Sequence, residues 1–160
     1  MIIRIVRLVG IVLFTAAFFL PAARDAGTGP GSGPMTGWMC AFVAGSATAG
    51  IFHISAAGLQ GKDVPGVVCL ILSGWVNPLV LLYLVFSIWR RFVRIRRVLA
   101  AAILVCIAAT WVFFFKSAMI PLVGHFLWVT GAFMILAGEV LRRATTKDNK
   151  ELSIDGVIPP

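Results

Sequence analysis

The stretch VVCLILSGWVNPLVLLYLVFSIW at 67–89, followed at once by RRFVRIRR at 90–97, decides the fold. The first part carries no charge and exceeds the roughly 20 apolar residues a helix needs to cross the hydrocarbon of a bilayer. The second holds Arg90, Arg91, Arg94, Arg96 and Arg97. An uncharged apolar run closed by arginines marks a spanning helix that ends at the cytoplasmic headgroups. Moving guanidinium groups across is unfavourable, and the inner leaflet is anionic.

Working outward, four more apolar segments appear, at about 2–20, 38–57, 98–115 and 121–141. Composition agrees with this picture. Apolar side chains make up 60% of the 160 residues and charged ones only 12%, with a mean hydropathy of +1.00. That excludes a disordered chain, a soluble globular domain, a coiled coil and a disulfide-stapled secreted domain. The net charge of +8 is read as membrane topology and not as a nucleic-acid surface, because no basic face with interleaved aromatics lies on a soluble domain.

The connections are polar. Residues 21–37, PAARDAGTGPGSGPMTG, read as a Pro/Gly/Ser-rich loop without regular structure. QGKDVPG at 60–66 and KSAMI at 116–120 read as short turns, and 142–160 as a polar cytoplasmic tail. Residues 1–141 form a single transmembrane helical domain. Residues 1–23 have the front part of a signal peptide, but Pro21 and Arg24-Asp25 spoil a cleavage site, which favours an uncleaved anchor.

Parity then constrains the topology. Arg4 and Arg7 place the amino terminus inside, as do the arginines of 90–97 for their own position. Three crossings between them would conflict. Segment 38–57, interrupted by Gly45, Ser46, Thr48, Gly50, His53 and Ser55, is the one expected not to cross. The reading is an all-α integral membrane protein: a bundle of four full transmembrane helices plus one re-entrant or interfacial helix. The alternative is five transmembrane helices with the amino terminus outside.

Small residues recur as Ala41, Gly45 and Ala49, and as Gly124, Gly131 and Gly138. Such stripes let helix backbones approach closely in lipid, within one chain or between copies. Asn77-Pro78 predicts a kink in the third segment, since proline removes a backbone donor and clashes with the preceding turn. Trp89 and Trp111 fall at the expected interfacial depths.

The chemistry-bearing residues are sparse. Cys40, Cys69 and Cys106 have no CxxC spacing; Cys40 and Cys69 read as packed thiols, with pairing between them the alternative. His53 and His125 lack further metal ligands at helical spacing and read as packed imidazoles. Glu139 faces Arg142 and Arg143 at i+3 and i+4, an ion pair. No nucleophile elbow, P-loop, zinc-protease motif or paired intramembrane carboxylates occur. The expectation is therefore no enzyme, no metal and no cofactor.

FFLPAA at 18–23, GW at 37–38 and GWVNPLVLLYL at 74–84 ahead of the arginines resemble a loose group of small uncharacterised bacterial inner-membrane proteins. That group has a Leu-Pro-Ala end to its first helix and a later Trp-x-Asn-Pro helix. The resemblance covers the first 97 residues or so. It implies a bacterial inner membrane, crossed several times with the carboxyl terminus cytoplasmic, and brings no activity. The expected partners are membrane lipid and another protein in or at the membrane, with no nucleic acid. The function expected is a non-enzymatic protein working through protein–protein contact, such as an accessory subunit or an immunity protein. The alternative is a transporter or channel component acting as a homo-oligomer.

Overall fold

Leu20 precedes Pro21, and a residue before proline is pushed out of the helical region by the pyrrolidine ring. Leu20 is accordingly extended (φ −99°, ψ 155°), and the first helix ends there. In the computed structural model, which describes residues 2–25, 33–51, 64–89 and 91–138, α1 (Ile2–Ala16) closes in a 3-10 turn, Ala17–Phe19. Strand β1 (Pro21–Asp25), strand β2 (Pro34–Thr36) and helix α2 (Gly37–Ile51) follow. Then come α3 (Val64–Ile88), α4 (Val93–Lys116), β3 (Met119–Pro121) and α5, described over Val123–Gly138. Arg90, His53, Glu139 and the tail 142–160 lie outside the described residues, as does the side chain of Ala49.

The chain is mostly helical, and α3 and α4 are long and apolar enough to cross a membrane. α1 and the described part of α5 are shorter. α3 runs unbroken through Pro78. α4 starts inside the arginine run, so Arg94, Arg96 and Arg97 sit on its first turns and not in a loop. Arginine is a good helix former, and the apolar residues after it continue the same helix.

Two segments depart from the sequence expectation. Residues 21–25 and 34–36 are strands, not loop, and 119–121 is a strand, not turn. They form an antiparallel sheet in the order β2-β1-β3, with Ala23 opposite both Met35 and Pro121. The prolines stand at the first residue of β1 and β2 and the last of β3, positions where a missing N–H is tolerated. Ala23 is fully buried.

Glycines fix how the helices run. A Cβ on Gly10 would lie 2.9 Å from Met134 Cβ, one on Gly131 2.6 Å from Phe14 N, and one on Gly124 2.7 Å from Pro21 O. α1 and α5 are therefore antiparallel and in near backbone contact. At the end away from the sheet, the Arg7 guanidinium donates to Ser87 Oγ, which joins the start of α1 to the end of α3. Trp89–Phe92 is the short connection from α3 to α4, closed by the rings of Phe86, Trp89 and Phe92. The core is one stripe from each of these helices: Phe14; Val76, Val80 and Tyr83; Leu99, Ile103 and Cys106; Ala132, Ile135 and Leu136.

α2 behaves differently. Gly37, its first residue, lies against Ala17 and Phe18, and Ala44 lies against Gly74. Gly74 is about one turn nearer the sheet than Asn77, whose Oδ1 accepts the Trp128 indole N–H at 2.9 Å. Trp128 stacks on Phe14 in the last turn of α1. α2 thus packs on α3 and touches the 3-10 turn and β1.

Candidate functional site

Between α2, α3, α4, α5 and the sheet lies a cavity of about 130 Å³. The space exists because small residues surround it: Ala17 from the 3-10 turn, Ala22 from β1, Gly37, Ala41 and Ala44 from α2, and Gly124 from α5. The polar groups on its wall are Cys40, Ser73, Asn77, Thr110 and His125. Two of these have spent their protons on their own helices. Ser73 Oγ donates to Leu70 O at 2.6 Å, and Thr110 Oγ1 donates to Cys106 O at 2.9 Å.

Asn77 and His125 are held by aromatic neighbours. Asn77 is tied through its oxygen to the Trp128 indole. The His125 imidazole packs against Phe114 (ring centroids 4.6 Å), Trp111 (5.1 Å) and Trp128 (5.6 Å). It is 4% exposed, and its Nε2 has no hydrogen-bond partner among the described residues. Leaving such a nitrogen unmet in the interior costs about 1–3 kcal/mol. All three cysteines are free thiols. Among the described residues, no three His, Cys, Asp or Glu side chains converge in a metal-binding group.

The small-residue stripes part company. On α5, Gly124 meets the backbone of Leu20 and Pro21 at the start of β1, Gly131 meets the backbone of α1, and a Cβ on Gly138 would meet Arg7 Cβ at 3.4 Å. On α2, Ala41 lines the cavity, but Gly45 is exposed, and a Cβ there would meet nothing within 4 Å. Among the described residues, Gly45 therefore takes no part in packing. It shares its side of α2 with Trp38 and Phe42, which are exposed, Phe42 at 70%.

The arginines also divide. Arg91, Arg94 and Arg97 are exposed at the end away from the sheet. Arg96 departs from the expected headgroup role: it is 1% exposed. Its helical spacing from Leu99, Ile103 and Cys106 carries it onto the inward stripe of α4. Pro78 is exposed on α3, one residue from the bonded Asn77.

Sequence reasoning treated His125 and Asn77 singly. Their common cavity joins residues from the 3-10 turn, all three strands, α2, α3, α4 and α5, and local periodicity carries no sign of it. The chain matches no protein-family model, no curated protein and no solved structure. Its function is therefore argued from its own geometry.

Proposed function

We propose that the chain is a small, non-enzymatic multi-pass membrane protein that binds a helix of another membrane protein on the outer face of α2. The observation that carries this reading is Gly45, open to its surroundings on the side of α2 that also carries the exposed Trp38 and Phe42. In lipid, apolar surface alone does not drive helix association; close backbone approach over small residues does. The α5 glycines are used inside the chain, whereas the α2 glycine is left for an external helix. An accessory subunit of a membrane complex, or an immunity protein shielding a membrane target, would work in this way.

The topology proposed with it has α1, α3, α4 and α5 as four full spans and α2 as an interfacial helix on the sheet side. Its setting is the bacterial inner membrane, with both termini cytoplasmic. Three features support it. Few side chains of α3 are buried, Val76, Val80 and Tyr83 among them, and apolar ones such as Leu81, Val85 and Ile88 turn outward. Arg7 of α1 bonds Ser87 at the end of α3, which brings the amino terminus and the arginine connection to the same end. Positive charge kept inside makes that end cytoplasmic. The five-span alternative needs these two at opposite ends.

A photo-crosslinking residue in place of Phe42 tests the proposal in cells. It is expected to trap a membrane protein, and Gly45→Leu is expected to abolish the adduct while the chain still accumulates. The same probe at lipid-facing Leu81 is the control. An adduct of the chain with itself, together with solute flux in liposomes, would favour the oligomeric transporter or channel component instead.

A further inference from the structure

Charge is concentrated at the end of the bundle away from the sheet. The arginines of 4–7 and 90–97 supply seven of the eight net positive charges. Residues 139–160 carry four acidic and four basic side chains and leave that excess unchanged. The Arg7–Ser87 hydrogen bond brings both arginine groups to one end. Among the described residues the only acidic side chain is Asp25, in β1 at the opposite end. Arg96 turns inward, whereas Arg91, Arg94 and Arg97 are exposed. Keeping positive charge inside is satisfied by any arrangement of these side chains; the face they share with apolar residues is a separate feature. Arg94, Val98, Ala101 and Val105 recur at spacings of four and three, so they lie on one face of α4, and all four are exposed. Val98 is 68% and Val105 60% exposed. From Arg94 to Val105 the helix rises about 16 Å, close to half of the roughly 30 Å of hydrocarbon and so to the depth of one leaflet. An exposed cation thus heads an exposed apolar strip as long as a leaflet is deep.

We propose that this face of α4 binds one anionic phospholipid, with the charge of phosphatidylglycerol. Its phosphate meets Arg94 and Arg97, which are neighbours at i and i+3, with Arg91 just before the helix. Its acyl chain lies along Val98, Ala101 and Val105. The guanidinium fork matches phosphate oxygens and stays charged at any working pH. An anion there also relieves the mutual repulsion of arginines that no described carboxylate offsets. The apolar strip decides between sources of phosphate: a free phosphate ion would leave it unused, and a lipid covers it. The inference rests on the membrane reading of the chain and not on helix binding at α2.

The test uses the purified full chain in mild detergent, offered phosphatidylglycerol and phosphatidylcholine with identical acyl chains. Native mass spectrometry counts the lipids retained. Phosphatidylglycerol is expected to saturate at one molecule per chain, with a preference of at least about fivefold, the weight of a single arginine beside an anionic headgroup. Arg94→Gln combined with Arg97→Gln is expected to abolish the preference, and Arg24→Gln, on β1 at the other end, to leave it intact. Should the double variant fail to accumulate, Val98→Glu decides: it keeps every arginine, pairs with Arg94 at i+4, and is expected to lower the preference. Excess inorganic phosphate is expected not to displace the lipid. Equal retention of the two lipids, a preference that survives both the double variant and Val98→Glu, or displacement by inorganic phosphate would overturn the proposal. A chain that stays monodisperse without detergent would overturn the membrane reading along with it, whereas a detergent-dependent chain without lipid preference would overturn this inference alone.

Discussion

Gly131→Ala adds a single methyl group where α5 crosses α1. The new Cβ would lie 2.6 Å from Phe14 N, 2.8 Å from Gly10 O and 2.9 Å from Phe14 Cα. All three are backbone atoms, so no side chain can rotate aside. Normal carbon contacts lie at about 3.5–4.0 Å, so the helices must separate by roughly 1 Å. Overpacking of this kind costs about 1–3 kcal/mol. Replacing glycine by alanine in a helix returns at most ~1 kcal/mol. Three backbone contacts under 3 Å put the cost in the upper part of that range, so the net expectation is a loss of about 1–2 kcal/mol. Two controls share the chemistry but not the contact. Gly138→Ala would meet Arg7 Cβ at 3.4 Å, and Gly45→Ala would meet nothing within 4 Å. Both should equal or exceed the wild type in stability. Thermal unfolding of the full chain in one mild detergent ranks the three. If Gly131→Ala unfolds with the wild type, α1 and α5 are not in backbone contact and the bundle described above is wrong.

Asn77→Leu removes the acceptor of the Trp128 indole and leaves a part-buried N–H unmet. A loss of about 1–3 kcal/mol is expected, read by the same unfolding assay. Ala118 has φ 51°, a left-handed conformation that costs an L-residue roughly 1–2 kcal/mol. Ala118→Gly should therefore raise the unfolding temperature and Ala118→Val should lower it; the reverse order would show that the α4–β3 turn differs from the one described.

What the sequence made legible follows from what its residues say locally. The uncharged runs at 67–89 and 98–115 announce α3 and α4, and Leu20-Pro21 announces the end of the first helix. The burial of Arg96 was also readable, since residues 96, 99, 103 and 106 follow one helical face. The sheet was not. β1 takes its partners from 34–36 and 119–121, and the glycines and serine at 27–33 hide two short strands that long-range pairing creates. The fate of each small-residue stripe was equally out of reach: Gly131 and Gly45 sit in similar apolar helices, and only the position of α1 distinguishes them. The cavity depends on how α2 packs on α3 and the sheet, which no periodicity within 38–57 announces.

The central claim is that the chain between α1 and α3 makes no net crossing of the membrane. Single cysteines at Pro34, Val64 and Arg94, in a chain with Cys40, Cys69 and Cys106 replaced, test it directly. All three positions are exposed. Intact cells are treated with a membrane-impermeant maleimide, and then again after permeabilisation. The account predicts that the cysteines at 34 and 64, which flank α2, are labelled in intact cells, and that the one at 94 is labelled only after permeabilisation. Labelling of 34 and 64 from opposite sides would mean that α2 crosses, and would contradict the account.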